Sequence, residues 1–171
     1  MKFDYLLSKK INDFIKEKDF LKALSLFFSD YLIFLMFLII FLVYYFYRQQ
    51  KILLIFSKIG LNLLFIWLGI MILRKAIPRL RPFARDLSIE KFSSLLLGPQ
   101  EFSFPSSHAA FAFSLWFVVL ADWPLFAIII LPFAFFVALG RIITGVHYLT
   151  DILGGIFLAA GVFLITELLI F

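Results

Sequence analysis

The chain has 171 residues, of which 64% are hydrophobic, 20% aromatic and only 16% charged. Soluble globular proteins contain about 45–50% apolar and about 25% charged residues, so this composition excludes a soluble domain. It also excludes intrinsic disorder, because a chain this apolar cannot remain solvated. The sequence has no cysteine, which excludes a disulfide scaffold, a thiolate zinc site and a cysteine nucleophile. A one-domain integral-membrane protein remains.

The first stretch, residues 1–30, interleaves lysines with apolar residues such as Phe3 and Phe14 at close to helical spacing. This pattern predicts an amphipathic helix at the membrane surface, with the lysines on its polar face. The alternative is a surface helix that caps the bundle without contacting lipid. Asp4 and Asp13 interrupt the apolar core that a cleavable signal peptide needs, so the segment is not interpreted as one.

Five apolar runs follow, and each approaches the length of about 20 residues that a helix needs to cross a bilayer core of roughly 30 Å. They predict an all-α transmembrane bundle of about five helices over residues 31–171. The basic residues behind the net charge of +5 lie at the ends of these runs, which points to anionic lipid and not to nucleic acid. The runs are Tyr31–Tyr47, Ile52–Leu73, 106–121, Leu125–Gly140 and Tyr148–Phe171.

One long connection, residues 74–104, joins the second and third runs. It holds both signs of charge together with Pro78, Pro82 and Pro99. Loops of this length within a compact fold are usually functional. This loop is therefore the first place to search for site residues.

Charged and polar side chains gather at three points, each at the end of an apolar run. Because consecutive helices alternate in direction, all three points are expected at the same membrane face. Charges at such positions are costly and mark functional candidates. The first group is Arg74, Lys75, Arg79 and Arg81, the second is Ser106, Ser107 and His108, and the third is Arg141, His147 and Asp151.

These side-chain types together predict an anion site with acid–base capacity. Pro105 suits the first turn of a helix, so the residues after it are expected at a helix N-terminus, where free N–H groups bind phosphate. Arginines from the other two groups can surround the remaining phosphate oxygens. Asp151 follows His147 by four residues, so on a helix its carboxylate can fix the imidazole tautomer. No metal is expected, because the sequence offers neither a carboxylate cluster nor a close histidine pair as ligands.

Each group alone also has a structural interpretation. An arginine at the end of a span can extend to lipid headgroups, and the Pro-Ser-Ser sequence at Pro105 can be no more than a helix start. Because all three groups are expected at one membrane face, a purely structural role for all of them is a weaker hypothesis than a shared functional site.

Three motifs occur in order and resemble the signature of the type 2 phosphatidic acid phosphatase superfamily, which reads KxxxxxxRP, PSGH and SRxxxxxHxxxD. The resemblance covers about residues 52–158. The motifs here are Arg74 followed after six residues by Arg81-Pro82, then Pro105-Ser106-Ser107-His108, then Arg141 followed by His147 and Asp151.

Three departures from the signature stand out. Arg74 replaces the lysine of the first motif, and the adjacent Lys75 is an alternative for its role. Ser107 replaces the glycine of the second motif and keeps the backbone N–H. Gly140 replaces the serine of the third motif, which removes one hydroxyl contact.

The resemblance implies a role for each matched residue and a reaction that needs neither metal nor other cofactor. His147 would be the nucleophile that forms a phosphohistidine, Asp151 would orient it, and His108 would protonate the leaving oxygen. The residues that would hold the phosphoryl oxygens are Arg74, Arg81, Ser106, Ser107 and Arg141.

The resemblance is strongest to small bacterial membrane members, which act on lipid A 1-phosphate, undecaprenyl pyrophosphate, phosphatidylglycerol phosphate or phosphatidic acid. The expected partners are such a lipid and the bilayer itself. Lys75, Arg79 and Arg85 are candidate contacts to further headgroup charge, the alternative being plain solvated loop charges.

The resemblance also implies a bacterial inner-membrane protein with its site at the periplasmic face. Arg48 and Lys51 then lie on the cytoplasmic side, in line with the positive-inside rule, whereas the N-terminal lysines lie against it. Two other classes stay open at this point. They are a vanadate-dependent peroxidase and a non-enzymatic membrane protein that binds lipid or anions.

Overall fold

The computed structural model describes residues 2–92 and 102–170, and nearly all regular structure in this part is helical. This confirms the predicted all-α class. The middle of the long loop, 93–101, lies outside the described residues. The helices are α1 (Lys2–Ile15), α2 (Asp19–Leu26), α3 (Leu32–Tyr47), α4 (Ile52–Ala76), α5 (Pro82–Arg85), α6 (Ser107–Asp122), α7 (Pro124–Ile143) and α8 (Leu149–Leu169), with a π-helical turn at Phe27–Tyr31 and a 3₁₀ turn at Gln49–Lys51.

Within the described ranges, four helical stretches are long and apolar enough to cross a membrane. The third predicted run forms α6, whose 16 residues extend about 24 Å and fall short of the roughly 30 Å hydrocarbon core. The predicted bundle of about five membrane helices is confirmed as four helical stretches of spanning length and the shorter α6, which runs between the two ends of the bundle. The four are Asp19–Tyr47, Gln49–Ala76, Pro124–Ile143 and Leu149–Leu169.

The first span begins earlier than the apolar run predicts. α2 continues through the π-helical turn into α3, so Asp19–Tyr47 is one helical stretch of 29 residues. The run of hydrophobic letters starts only near Tyr31 because Ser29 and Asp30 interrupt it. Both side chains are fully buried in the protein, so they do not end the helix. π-Helical turns inside helices occur frequently at functional sites.

α6 lies at the centre of the bundle and packs against α4, α7 and α8. Ala109, Ala110 and Ala112 are fully buried, and their small side chains let the neighbouring helices approach. The closest approach is at Gly155 of α8, where a Cβ would lie 2.5 Å from the carbonyl oxygen of Ser106. The beginnings of α6 and α8 are therefore in direct backbone contact, which brings the second and third motifs together.

Large apolar side chains cover the outer faces of the long helices, for example Phe46, Leu53, Ile128 and Leu168. An apolar surface of this extent is not stable in water, but it is compatible with the hydrocarbon of a bilayer. Together with the helix lengths, this surface identifies a membrane protein.

α1 turns a polar face toward the rest of the protein. Asp4 and Asn12 are buried, whereas Phe3 and Phe14 are 71% and 61% exposed. The Asn12 side chain donates to the carbonyl oxygen of Glu90 over 2.8 Å and accepts from its N–H over 2.9 Å. α1 is thus attached to the loop after α5 by polar contacts, and contact between its apolar face and lipid stays a prediction.

Candidate active site

The three groups of predicted site residues meet at one end of the bundle. α4 and α7 end there, and α6 and α8 begin there. Direct contacts join the groups: Arg81 contacts His147, Arg79 donates to Asp151, and the N–H of Ser106 donates to the carbonyl oxygen of Asp151 over 3.0 Å. The alternation of helix direction inferred from the sequence therefore gives the correct juxtaposition.

The contact between Arg81 and His147 assigns the tautomer of the imidazole. Nη1 of Arg81 lies 3.0 Å from Nε2 of His147 and donates to the carbonyl oxygen of Val146 over 2.9 Å. A guanidinium can only donate, so Nε2 accepts and the ring proton resides on Nδ1. This tautomer leaves on Nε2 the lone pair that a nucleophile requires.

Asp151 faces the other ring nitrogen and is fixed by the start of its own helix. Its Oδ2 lies 3.7 Å from Nδ1 of His147 and accepts a hydrogen bond of 2.8 Å from the N–H of Tyr148. This bond satisfies one of the free N–H groups at the N-terminus of α8. The carboxylate thus lies beside the imidazole, but not on a shared helix face as the spacing of four residues predicts, because α8 begins only at Leu149 and His147 precedes it.

The surroundings of His147 keep its imidazole neutral. Burial, and then the positive charges of Arg81, Arg141 and Arg74, lower the pKa of His147 well below its ordinary value of 6.5, while a hydrogen bond with the backbone of Ser103 acts in the opposite direction. Both effects that lower the pKa disfavour the charged ring. At neutral pH the ring is therefore uncharged and its Nε2 lone pair is retained.

In the first motif, Arg74 and not Lys75 turns into the protein. Arg74 is 3% exposed, whereas Lys75 is exposed. Burial, and then the charges of Arg74 and Arg141, lower the pKa of Arg81 to about 9, which still leaves its guanidinium charged at neutral pH. The arginines of the site thus repel one another, and an anion between them would offset that repulsion.

The second motif forms the start of α6. Ser106 is the N-cap residue, with its hydroxyl accepting from the N–H of Ala109 at 3.5 Å, and Ser107 and His108 begin the first turn. Pro105 therefore precedes the N-cap, which corrects its predicted place in the first turn. The helix begins only at Ser107, because the backbone of Ser106 is extended (φ −74°, ψ 115°). Ser106, Ser107 and His108 are all buried.

Arg141 of the third motif is bound by the π-helical turn. Its Nη1 donates to Ser29 Oγ and to Asp30 Oδ1, each over 2.9 Å. Gly140 permits this approach, because a Cβ at that position would lie 2.6 Å from the backbone nitrogen of Ser29. The departure from the signature serine at this position has a structural reason, and Ser29 provides a hydroxyl beside the arginine instead.

The candidate headgroup contacts differ in their surroundings. Arg79 forms ion pairs of 2.7 Å with both Asp4 and Asp151, and its side chain is only 17% exposed. Its interpretation as a loop charge is therefore corrected, because two carboxylates draw it inward. Lys75 and Arg85 are exposed, and a role for them in headgroup binding stays a prediction.

Among the described residues, the buried polar side chains around the site that the sequence analysis does not find include Asp4, Ser29, Asp30 and Ser103. Asp30 carried a usable signal, since a carboxylate at the start of an apolar run is a functional candidate by default. Asp4 carried none, because it fits the polar face of an amphipathic helix equally well. Ser103 is a small loop residue without a pattern of its own.

A comparison with protein-family models agrees with this arrangement of arginines, histidines and aspartate. The model described as "PAP2 superfamily" matches residues 58–171, which is more than half of the chain. The chain belongs to the PAP2 superfamily. The match contains all three motifs and confirms the resemblance on which the residue roles rest.

Two crystal structures share the fold of this PAP2 protein. LpxE of Aquifex aeolicus is 20% identical with a TM-score of 0.69, over 94% of this chain and 92% of that one. The first transmembrane PAP2 type phosphatidylglycerolphosphate phosphatase from Bacillus subtilis is 24% identical with a TM-score of 0.65, over 97% of this chain and 83% of that one. At these identities the likeness shows the fold, which is that of membrane PAP2 phosphatases. No curated protein matches the sequence.

Proposed function

We propose that this PAP2 protein hydrolyses the phosphate or pyrophosphate headgroup of a bacterial membrane lipid through a phosphohistidine on His147. The observation that carries the proposal is the contact of 3.0 Å between Arg81 and Nε2 of His147. It sets a nucleophilic lone pair next to a guanidinium that can bind a phosphoryl oxygen, so attack and charge stabilisation occur at one point.

In the first step Nε2 of His147 forms a bond to phosphorus while the bond from phosphorus to the lipid oxygen breaks. The electron pair leaves with that oxygen, which takes a proton from the His108 imidazolium, a form that the negative charge of the bound phosphate favours, and His108 becomes neutral. Asp151, whose Oδ2 lies 3.7 Å from Nδ1, stabilises the positive charge that develops on the ring. The groups that bind the phosphoryl oxygens are Arg74, Arg81, Arg141 and the free N–H groups at Ser106 and Ser107.

In the second step water attacks the phosphohistidine. The water proton passes to His108, the nitrogen–phosphorus bond breaks, and the electron pair returns to Nε2 of His147. Inorganic phosphate leaves and both histidines regain their starting states. Every proton and electron pair is accounted for by groups of the site, and we propose that the reaction proceeds without a metal ion.

An apolar pocket beside His108 supports a lipid as the substrate. Its volume is about 360 Å³, and Phe34, Phe37, Leu63 and Phe111 line it together with His108. Phe34 is 64% exposed, so the pocket opens between α3 and α4 toward the hydrocarbon. An acyl or prenyl chain can lie there while its phosphate reaches the buried arginines.

The candidate substrates are lipid A 1-phosphate, undecaprenyl pyrophosphate, phosphatidylglycerol phosphate and phosphatidic acid. We infer that the site faces the periplasm of the inner membrane, which agrees with Arg48 and Lys51 at the opposite end of the bundle. A reporter fused after Phe171 is then expected to be active only in the cytoplasm. Activity of that reporter in the periplasm would contradict the orientation.

Phosphate release from these four lipids by the purified protein in detergent, with EDTA present, tests the function. We expect turnover of at least one lipid and inhibition by orthovanadate, which resembles the phosphoryl group in its transition state. His147→Ala is expected to lower kcat by about 10⁴-fold or more. Lys51→Ala, at the other end of the bundle, is the matched control and is expected to retain kcat.

Four outcomes would contradict parts of the proposal. An unchanged rate in His147→Ala would rule out the phosphohistidine, and loss of turnover with EDTA would rule out the metal-free reaction. Tight phosphate binding without release from any of the four lipids would favour a non-enzymatic binding protein. Oxidation of halide after addition of vanadate would favour a peroxidase.

A further inference from the structure

Arg79 joins two aspartates that come from distant parts of the chain. Its Nη1 donates to Oδ1 of Asp151 and its Nη2 donates to Oδ2 of Asp4, each over 2.7 Å. The guanidinium carbon also lies 4.1 Å from the centre of the Tyr148 ring. A planar fork held by two carboxylates and an aromatic face has little freedom to turn.

Asp4 of α1 is in turn bound to the first turn of α8. The hydroxyl of Thr150 donates to Asp4 Oδ2, and the N–H of Thr150 donates to Asp4 Oδ1 over 3.3 Å. Burial raises the pKa of Asp4, but the hydrogen bonds from Arg79 and Thr150 outweigh it and the net pKa is lowered. Asp4 is therefore a carboxylate, and it binds Arg79 and α8 at the same time.

The Asp151 carboxylate depends on such a partner. It is fully buried, and a buried carboxylate is costly in its charged form unless an opposite charge and hydrogen bonds accompany it. The groups that face it are Arg79, the N–H of Tyr148, His147 and the side chain of Ser103. Of these, Arg79 is the one permanent cation. A neutral carboxyl group could face the imidazole N–H as well, but only the charged carboxylate stabilises a positive ring through its own charge.

We propose that Arg79 is a positioning residue for Asp151 and that Asp4 holds Arg79 in place, so that the N-terminal helix completes the active site. This inference rests on the proposed phosphatase function. It replaces the interpretation of Arg79 as a contact for the substrate headgroup. It also gives α1 a part in catalysis that a surface helix at the membrane would not have.

Steady-state kinetics of four variants test the inference on the lipid that the wild type turns over. Arg79→Gln is expected to lower kcat by about 10- to 100-fold, the usual cost of losing a partner that orients a catalytic group, with KM within about twofold. Arg79→Lys keeps the charge and is expected to recover part of kcat. Asp4→Asn is expected to cause a smaller loss, and the double variant to be no slower than Arg79→Gln, because both act through one connection.

Asn12→Ala is the matched control, since it removes a contact between α1 and the loop that does not include Arg79. We expect it to retain the wild-type kcat. Thermal unfolding in detergent and the inhibition constant of inorganic phosphate, the product, are measured for every variant. An unchanged inhibition constant shows that the anion site is folded, so that a fall in kcat reports on Asp151.

The possible contrary results are distinct. A raised KM with unchanged kcat in Arg79→Gln would overturn the inference in favour of headgroup binding. Additive losses, or an equal loss in Asn12→Ala and Asp4→Asn, would overturn the part played by Asp4. An active wild type with an unaffected Arg79→Gln would overturn this inference alone. A wild type that releases no phosphate from any of the four lipids would overturn the proposed function and this inference together.

Discussion

The two ends of the helix bundle both carry charge, but they hold it differently. At the site end, Arg74, Arg81 and Arg141 are 1–3% exposed. At the opposite end, the ion pair between Lys51 and Asp122 has side chains that are 45% and 12% exposed. The far-end charges remain close to water or headgroups, whereas the site arginines are taken out of water altogether.

We infer from this difference that the far-end charges join helices, whereas the buried arginines at the site end are suited to binding an anion. The far-end pair joins the turn after α3 to the end of α6, where Asp122 also accepts a hydrogen bond of 3.0 Å from Tyr44. Such a pair costs little to form and contributes little to stability. Several mutually repelling arginines in one buried place are costly, and under the proposed function a bound phosphate group offsets that cost.

Replacing an arginine by lysine at each end of the bundle is expected to give the largest difference in kcat/KM between the two ends. Arg81→Lys keeps the charge but loses the fork that contacts Val146 and His147, so we expect kcat/KM to fall by about 10²-fold or more. Arg48→Lys is the matched change at the far end, where Arg48 lies 4.5 Å from the centre of the Trp123 ring. It is expected to alter kcat/KM by less than about twofold. Similar losses in both variants would contradict the functional distinction between the ends.

An effect of intermediate size is expected in the pH dependence of the free energy of unfolding, to which the buried His147 at the site end contributes. Because the pKa of His147 is lowered in the folded protein, the unfolded chain takes up a proton first as the pH falls below 6.5. The contribution of this group to stability is therefore complete above pH 6.5 and is lost below it, by at most about 1.4 kcal/mol per pH unit. Thermal unfolding between pH 8 and pH 5 measures this loss.

His147→Gln is the control for that measurement, since it removes the titrating ring. We expect its unfolding temperature to fall less steeply between pH 6.5 and pH 5 than that of the wild type. Equal slopes in the two proteins would show that the imidazole is not kept neutral by its surroundings.

The smallest effect is expected at the far end. Asp122→Asn removes the ion pair with Lys51 and keeps a hydrogen-bond acceptor for Tyr44, so the loss of unfolding free energy is expected to be about 1 kcal/mol or less. The kcat on the lipid substrate is expected to stay at the wild-type value. A large fall in kcat would mean that the two ends of the bundle are coupled.

The fold class and the meeting of the motifs are predictable because they depend on hydrophobic runs and on alternating helix direction. The pairing of His147 with Asp151 is predictable for the same kind of reason, since it is local in the chain. Whether Arg74 or Lys75 faces the protein depends on how α4 is rotated about its axis. The sequence does not define this rotation, because α4 carries apolar residues on all of its faces.

The network around the site was less accessible because its members are far apart in sequence. Arg141 binds Asp30 and Arg79 binds Asp4, and neither pairing follows from periodicity. Both depend on how the N-terminal helices dock, which is decided by packing across the whole bundle. The early start of the first span was missed for a related reason. Ser29 and Asp30 interrupt its apolar run, but other helices bury both side chains, so the helix continues through them.

The hydrogen bond from the N–H of Tyr148 to Asp151 gives this carboxylate two roles. It lies within the first turn of α8, so Asp151 satisfies a free N–H group at the start of that helix and also faces the imidazole of His147. The arginines around the pair come from distant segments and take no part in this helix start. Replacing Asp151 would therefore disturb both the start of α8 and the orienting carboxylate, and the change in kcat would combine the two effects. Replacing Arg79 would change the surroundings of the carboxylate and leave the cap of α8 intact.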